Sequence, residues 1–578
     1  MTNNHSDKLI SNLQEFSRQY QELLQILASK SFEHNTQILN SEAIGEFAGK
    51  FSEDVMVKPQ KIIRRNSEYM CNMMELVSNS VAKYMGQQVE DKYDAEVADR
   101  RFKDLAWREH VYFNFLKQSY LMSSKWLQQG VDYLNLNDQT KAYINFFTKQ
   151  FINATSPSNF AVSNPKVISE TMNSEGENLV RGIKNFIKDL QSSDKIFSIS
   201  TSDNQAFRVG ENLATTRGKV IYQNELMQLI CYQPKSKTYA TPILLVPPWI
   251  NKYYILDLSE KNSFVKWLVD NNYQVFLISW VNPDEKLTMK NFADYLQEGI
   301  IDSLDYICCN FGYSKLNMIG YCLGGTLLAS ALAYLKAKND DRIGTATLFT
   351  TLLDFSNAGD LKLFINKGNL DHIKNHNIFS GRQMGAIFNM LRSNEMVWSF
   401  FVNNYLLGKK PLDFDILFWN ADNTNLPIKM HEFYLRNMYV ENNLFQGKLK
   451  LLDTIIDLSK VNNPIFALST REDQIVPWQA SLDALKIFAG EKEFCQAGSG
   501  HVAGVINPPA QNKYSFWLNK NIATSQNEWL NQAKEYQGSW WNHWHKWQSK
   551  YAGDMVSALD YNNIKDYIEL APGKYVMR

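Results

Sequence analysis

The chain lacks an excess of charge of either sign. Its 578 residues carry 60 Lys and Arg side chains and 60 Asp and Glu side chains, so the formal net charge is zero. Proteins that bind nucleic acids normally carry a basic excess, so the balance argues against that class of function. A nearly neutral protein resists self-association poorly, which is compatible with an oligomer or with attachment to a surface.

Long apolar runs are missing as well. The opening residues, Met1 to Ser11, are polar and contain no apolar core of a signal peptide. The longest apolar-looking run, Leu323 to Leu335, holds about 13 residues, whereas a membrane-spanning helix needs about 20. We therefore expect neither a secretory leader nor a transmembrane span.

Paired cysteines and metal motifs are also absent. The six cysteines form no CxxC motif and no spacing typical of disulfides, which predicts free thiols in a reducing cytoplasm. His372 and His376 are four residues apart, but the glutamate of an HExxH motif is missing and Lys374 lies between them. A P-loop and a dinucleotide fingerprint are missing too, so we expect no metal and no cofactor.

The first 200 residues predict a mostly helical domain. Apolar residues of the opening segment recur at heptad spacing over fewer than three heptads, at Leu9, Leu13, Phe16, Tyr20, Leu23 and Leu27. Two interpretations stay open for this helix: it packs on its own domain, or it docks on a partner or an apolar surface. A Ser-, Asp- and Asn-rich stretch, Ser192 to Gln205, is the expected domain boundary.

Residues 201–578 predict an α/β domain. Short apolar runs alternate with helix-length segments, as in a parallel sheet covered by helices. The predicted strands are 226–232, 242–246, 273–279, 316–319, 345–352, 464–469 and 492–496. About 110 residues separate the fifth and sixth strands, far more than a crossover needs, so we expect an inserted cap at about 356–445.

A nucleophile elbow is predicted at Gly320-Tyr321-Cys322-Leu323-Gly324. The motif follows a strand and precedes a helix, and Cys322 stands where the usual elbow has serine. The N-terminus of the following helix favours negative charge and so activates a thiol. We expect the Leu323 amide to be one oxyanion donor and the loop holding Trp249 and Ile250 to supply the second. A buried, inert cysteine in a glycine-rich turn is the alternative.

The partners of such a nucleophile follow it as an acid and then a histidine. Asp473 and His501 each lie just after a predicted strand, at the sheet edge where α/β proteins place their sites. Glu472 is the nearest rival to Asp473. In this arrangement His501 takes the thiol proton, and Asp473 orients or assists the imidazole. Sulfur as the nucleophile indicates a thioester substrate.

The residues around this site resemble the polyhydroxyalkanoate synthases. The shared segments include Gly320 to Thr326, Leu245 to Leu258, Ser279 to Asp284, Thr351 to Phe355, Phe418 to Pro427, Tyr434 to Asn437 and Gly538 to Trp541. The likeness covers about residues 100–578, and the chain departs from it at Gln474, where members often carry histidine. The plan is similar to that of the class I enzymes.

This resemblance implies an α/β-hydrolase fold and an acyltransferase. It implies polymerisation of short-chain (R)-3-hydroxyacyl-CoA, chiefly 3-hydroxybutyryl-CoA, on a thioester at Cys322, with release of CoA. His501 is expected to activate Cys322, and Asp473 to help activate the substrate 3-hydroxyl, perhaps through His501. A homodimer at the surface of cytoplasmic polymer granules, with granule-associated proteins as further partners, is also implied.

Two other functions fit the residues. A cysteine-dependent thioesterase or hydrolase would share the fold and the three catalytic residues. A non-catalytic granule scaffold is the third possibility, although it has no reason to keep Cys322, Asp473 and His501 together. Near the C-terminus, Trp540, Trp541, Trp544 and Trp547 predict either core packing of the last helix or contact with the polymer.

Overall fold

The computed structural model describes residues 2–29, 40–93, 99–193, 198–203, 205–365, 370 and 377–578. It divides into two compact units. The first contains Met1–Thr201 and Ala386–Leu412, and the second contains Ser202–Gly385 and Asp413–Arg578. His372 and His376 lie outside the described residues.

The first unit is helical. Its main helices are α1 (Thr2–Ser29), α2 (Ser41–Val57), α3 (Pro59–Tyr84), α4 (Ala106–Glu109), α5 (Val111–Asp132), α6 (Asp138–Ala154), α7 (Pro165–Asn173) and α8 (Glu177–Ser192). Leu23 of α1 is buried against Ile183, Ile187 and Leu190 of α8. The opening helix therefore packs on its own unit, as one of the two interpretations held.

Residues 386–412 belong to this helical unit although they fall inside the predicted cap. They include two π-helices, Asn394–Trp398 and Phe401–Leu406. The Asn178 side-chain amide donates to the Leu406 carbonyl at 2.8 Å, and the Tyr405 hydroxyl donates to the Asp189 carboxylate at 2.6 Å. These hydrogen bonds to α8 explain why part of the long insertion groups with the N-terminal helices.

The second unit is built on one mixed sheet of eleven strands. They are β1 (Gly218–Gln223), β2 (Met227–Tyr232), β3 (Ile243–Val246), β4 (Val275–Trp280), β5 (Leu316–Tyr321), β6 (Ile343–Phe349), β7 (Ile465–Thr470), β8 (Lys492–Ala497), β9 (Ser515–Leu518), β10 (Lys534–Gln537) and β11 (Glu569–Leu570). The spatial order is β10-β9-β8-β7-β6-β5-β3-β4-β2-β1-β11. Strands β3 to β8 run parallel and the flanking pairs are antiparallel.

All seven predicted strands are present in this sheet. The central ones are buried along their whole length, which is why their sequences are continuous apolar runs. Three two-stranded ladders pair Lys237–Tyr239 with Met555–Ser557, Ile378–Phe379 with Leu426–Pro427, and Lys450–Leu451 with Thr454–Ile455.

Helices lie between the strands along the chain. They are α9 (Phe264–Asp270), α10 (Phe292–Asp294), α11 (Asp302–Phe311), α12 (Leu323–Ala337), α13 (Gly381–Leu391), α14 (Asp415–Ala421), α15 (Ile428–Tyr434), α16 (Trp478–Leu485), α17 (Gln526–Gln532) and α18 (Trp541–Gln548). Helix α13 crosses the boundary between the units. Two π-helices, Tyr295–Ile301 and Leu435–Val440, continue α10 and α15. Within the described part of the chain, no helix combines the length and apolarity that crossing a membrane requires.

Candidate active site

The elbow forms where β5 ends and α12 begins. Cys322 lies between them with φ 53° and ψ −116°, a conformation that costs a non-glycine residue roughly 1–3 kcal/mol. The surrounding backbone holds it there: its amide donates to the Phe349 carbonyl at 2.9 Å, and its carbonyl accepts from the Gly325 amide at 2.9 Å. Such a turn presents the half-buried thiol at the carboxyl edge of the sheet, at the N-terminus of α12.

The glycines of the motif are required by close backbone approach. A Cβ on Gly324 would lie 2.1 Å from the Val246 carbonyl oxygen, and one on Gly320 would lie 2.5 Å from the Gly325 Cα. A Cβ on Gly325 would lie 1.9 Å from the Thr351 Oγ1. The first turn of α12 therefore packs directly on the end of β3 and the loop after β6.

Asp473 and His501 meet beside this turn. The Asp473 Oδ2 and the His501 Nδ1 are 2.7 Å apart, and the Asp473 side chain is fully buried. Its Oδ1 accepts from the amides of Ile475 and Val476, both at 2.9 Å, and its Oδ2 accepts from the Thr470 hydroxyl at 3.3 Å. The carboxylate is thus held rigidly by protein donors, and it fixes the imidazole through Nδ1.

Asp473 occupies the Nδ1 side of the imidazole, and Cys322 lies close enough to His501 for the two side chains to interact electrostatically. Burial lowers the pKa of His501, but the charges of Asp473 and Cys322 and the hydrogen bond to Asp473 outweigh burial and raise the pKa well above its usual value. Tyr321 contacts His501 twice. Its ring is stacked on the imidazole with the ring centroids 5.8 Å apart, and its hydroxyl donates to the His501 carbonyl at 3.3 Å.

Glu472, the nearest rival to Asp473, points to solvent. Its side chain is exposed, and its backbone amide donates to the Ser499 carbonyl at 3.0 Å. Of the two adjacent carboxylates, Asp473 is the one hydrogen-bonded to the imidazole. The structure therefore brings Cys322, His501 and Asp473 together in the expected chain order of nucleophile, acid and base.

A family profile described as "Poly-beta-hydroxybutyrate polymerase (PhaC) N-terminus" matches residues 98–268, and one described as "alpha/beta hydrolase fold" matches residues 241–508. The poly(3-hydroxyalkanoate) polymerase subunit PhaC of Rhizobium meliloti (strain 1021) is 40% identical over 533 residues, which cover 91% of this chain and 87% of that protein. The chain belongs to the poly(3-hydroxyalkanoate) polymerase family. The proteins of the same name from Rhizobium etli and Cupriavidus necator are 41% and 38% identical, covering 91% and 83% of this chain and 85% and 83% of their own.

Family membership confirms the predicted family and α/β-hydrolase fold. It also makes the chain an enzyme of the polymerase class, which argues against the non-catalytic scaffold.

The expected oxyanion residues of this polymerase lie beside the elbow. Leu323 is the first residue of α12, and the loop after β3 lies against Gly324. The Trp249 side chain is buried, with its ring 5.7 Å from that of Tyr434, whereas Ile250 is half-buried. The loop is pinned because the Thr424 hydroxyl contacts both the Trp249 carbonyl, at 3.2 Å, and the Asn251 amide, at 2.7 Å.

Buried tyrosines close the site around Cys322. Burial raises the pKa of Tyr439 and of Tyr434 far above the usual range, and a charge on nearby Cys322 raises both further. Sequence reasoning singled out neither tyrosine as a site residue, although Tyr434 begins one of the segments shared with the family. The signal was weak because aromatic residues at helical spacing usually pack in a core.

His431 and metal binding were the remaining alternatives to test among the described residues. His431 is buried against Phe379, with ring centroids 4.6 Å apart, and burial lowers its pKa to about 4. Across the described residues, no group of three or more His, Cys, Asp or Glu side chains is placed to hold a metal ion.

Proposed function

We propose that this polymerase joins short-chain (R)-3-hydroxyacyl groups, chiefly 3-hydroxybutyryl, from CoA thioesters into a polyester and releases CoA. The observation that carries the proposal is the position of His501, whose Nδ1 is hydrogen-bonded to Asp473 and whose imidazole interacts electrostatically with Cys322 at the nucleophile elbow. The 40% identity to a named poly(3-hydroxyalkanoate) polymerase over most of both chains supports it.

The first half-reaction loads the enzyme. His501 accepts the proton of the Cys322 thiol, and the sulfur attacks the thioester carbonyl carbon of the substrate. The tetrahedral oxyanion is stabilised by the Leu323 amide at the N-terminus of α12 and by an amide of the Trp249–Ile250 loop. The bond to the CoA sulfur then breaks, CoA leaves with the proton held on His501, and the acyl group stays on Cys322 as a thioester.

The second half-reaction forms the ester. The 3-hydroxyl of an incoming hydroxyacyl-CoA loses its proton to His501, its oxygen attacks the acyl carbonyl on Cys322, and the cysteine sulfur leaves and recovers a proton. The elongated acyl-CoA reloads Cys322 by the first half-reaction. We assign the base role to His501 because the Asp473 side chain is fully buried and both its oxygens already accept protein hydrogen bonds.

The buried surroundings of Cys322 favour transfer over hydrolysis. Tyr434 and Tyr439 are buried and interact electrostatically with Cys322, and we infer that they restrict the access of water to the acyl-enzyme. No cofactor is needed, since the CoA thioester supplies the activated acyl group. We further propose that the enzyme works as a homodimer on cytoplasmic polymer granules, which light scattering of the purified protein and granule fractionation would test.

The deciding experiment follows CoA release by thiol titration and polymer by light scattering, with (R)-3-hydroxybutyryl-CoA as substrate. CoA release with rising turbidity, both abolished in Cys322→Ala and both unchanged by a chelator, is the expected result. CoA release that yields free hydroxy acid without polymer would make the enzyme a thioesterase. A wild type that is inert with this substrate and with longer acyl chains would overturn the proposal.

A further inference from the structure

The last long helix of the second unit carries a run of tryptophans that are almost fully buried. Trp540, Trp541, Trp544 and Trp547 lie in or next to α18 and belong to the main core of the unit. The core-packing interpretation is therefore confirmed and contact of these side chains with polymer is excluded. Packing alone, however, does not explain why three of the indole N–H groups donate hydrogen bonds to specific partners.

Two of those partners belong to the loop that carries His501. The Trp540 indole donates to the Gly504 carbonyl at 2.8 Å, and the Trp541 indole donates to the Val505 carbonyl at 2.9 Å. The third donor, Trp544, binds the Thr347 hydroxyl on β6 at 2.9 Å instead. An indole is rigid and donates in one direction, so each of the first two bonds fixes the position of a loop carbonyl relative to α18.

The loop is confined on its opposite side as well. The amide of Gly504 donates to the Gly500 carbonyl at 2.9 Å, which closes a tight turn directly after His501. A Cβ on Gly504 would lie 2.5 Å from the Thr470 Cγ2, and the hydroxyl of Thr470 donates to Asp473. Residues 500–505 are therefore clamped between the tryptophans and the strand end that carries the acid.

Trp540 also touches the support of the nucleophile. Its ring packs edge-on against the Phe349 ring, with centroids 5.0 Å apart, and the Phe349 carbonyl accepts the Cys322 amide. Trp540 thus packs on the side chain of the residue whose carbonyl holds Cys322, and it also hydrogen-bonds the loop that holds His501. The distance between thiol and imidazole depends on the positions of both segments.

We propose that Trp540 and Trp541 are positioning residues that hold His501 in register with Cys322 and Asp473. This rests on the proposed function only in taking Cys322 and His501 as the reacting pair. Trp540→Phe leaves the buried Gly504 carbonyl without its indole donor. Trp541→Phe removes one of two donors to the Val505 carbonyl, which keeps the Asn507 amide at 3.0 Å, so both variants weaken the hold on the His501 loop. Trp544→Phe is the matched control, because it removes an equally buried indole N–H from the same helix without touching that loop.

The test compares Trp540→Phe, Trp541→Phe and Trp544→Phe in the full chain, with thermal unfolding recorded for each. Steady-state CoA release gives kcat and KM, and alkylation of Cys322 by iodoacetamide, followed by peptide mass spectrometry across a pH series, reports the thiol–imidazole pair without any substrate. We expect kcat about 10- to 100-fold lower for the first two variants, with KM within about twofold, and slower Cys322 alkylation at neutral pH. Trp544→Phe keeps the wild-type alkylation profile.

A second comparison excludes a purely structural effect. In a His501→Ala background, Trp541→Phe is expected to change Cys322 alkylation no further, because the tryptophan acts through the histidine. The proposal is overturned if all three tryptophan variants lose activity in proportion to their loss of thermal stability while their alkylation profiles match the wild type. If wild-type protein releases no CoA but the alkylation profiles still differ as expected, the proposed function fails and the positioning role stands.

Discussion

Replacing Asp473 with asparagine separates orientation of His501 from the rest of the site. The Oδ1 of the side chain accepts two backbone amides, which the asparagine oxygen preserves, so the loop keeps its shape. At the other position an NH2 group replaces the Oδ2 that faces the His501 Nδ1. Two donors cannot share a hydrogen bond, so the imidazole adopts the tautomer with its proton on the nitrogen that faces Cys322.

That tautomer cannot accept the thiol proton. The size of the effect on catalysis can be worked out from the hydrogen bonds that the substitution removes. Hydrogen bonds to a charged group contribute about 1.5–3 kcal/mol each, and Oδ2 makes one strong bond to His501 and one long bond to the Thr470 hydroxyl. We expect a loss of about 3–5 kcal/mol, which corresponds to a roughly 10²- to 10⁴-fold fall in kcat. The pKa of His501 should also fall, since burial lowers it and the Asp473 charge no longer opposes burial.

Initial rates of CoA release across a pH series measure both effects. Glu472→Gln is the matched control, because it neutralises the adjacent carboxylate, whose side chain is exposed. The control should stay within about twofold of wild type, as is usual for substitutions on the surface. An Asp473→Asn enzyme within tenfold of wild type, or a Glu472→Gln enzyme impaired as severely, would refute the role given to Asp473.

Three further predictions concern stability and are measured by chemical unfolding. Gly324→Ala places a Cβ 2.1 Å from the Val246 carbonyl oxygen and should lower the free energy of unfolding by about 2 kcal/mol or more. Gly45→Ala on α2, which has open space around its Cβ, is the control and should be neutral or slightly stabilising. Equal effects of the two substitutions would contradict the packing argument. Burial raises the pKa of Asp257 to about 6, so the contribution of this carboxyl to stability is highest below its unfolded pKa near 4 and is lost as the pH rises through 6. Asp257→Asn should therefore be stabilising by roughly 2–3 kcal/mol at pH 7.5 relative to its effect at pH 4. A difference between variant and wild type that does not change with pH would refute this. Burial lowers the pKa of His431 to about 4, so the stability that neutral His431 provides is lost as the pH falls from 6.5 towards 4. In His431→Gln the free energy of unfolding should depend less on pH between those values, and an unchanged pH dependence would refute this.

The central sheet could be predicted because burial on both faces leaves a plain pattern. Strands such as β3 and β5 are continuous apolar runs with no polar alternation. The edge strands β10 and β11 were missed for the opposite reason. The four residues of β10, Lys534–Gln537, are all exposed, so nothing in their hydrophobicity distinguishes them from a loop.

The proximity of the three candidate residues, Cys322, Asp473 and His501, could be predicted from sequence because each follows a strand that ends at the same sheet edge. Their supports could not, since they depend on contacts between distant segments. The Tyr321 bond to the His501 carbonyl spans 180 residues, and the partners of Trp540 and Trp541 lie 36 residues away. The grouping of residues 386–412 with the helical unit was hidden for the same reason, because hydrogen bonds such as that from Asn178 to Leu406 span more than 200 residues.

The covalent state of Cys322 during turnover tests the account most directly. The enzyme is mixed with (R)-3-hydroxybutyryl-CoA, quenched in acid within the first turnovers, digested, and the peptide containing Cys322 is weighed by mass spectrometry, with Cys322→Ser and His501→Ala run alongside. We expect a 3-hydroxybutyryl or oligomeric ester mass on Cys322, which disappears on treatment with hydroxylamine and is nearly absent without His501. Rapid CoA release with an unmodified Cys322 peptide, or with the acyl mass on another residue, would contradict the account.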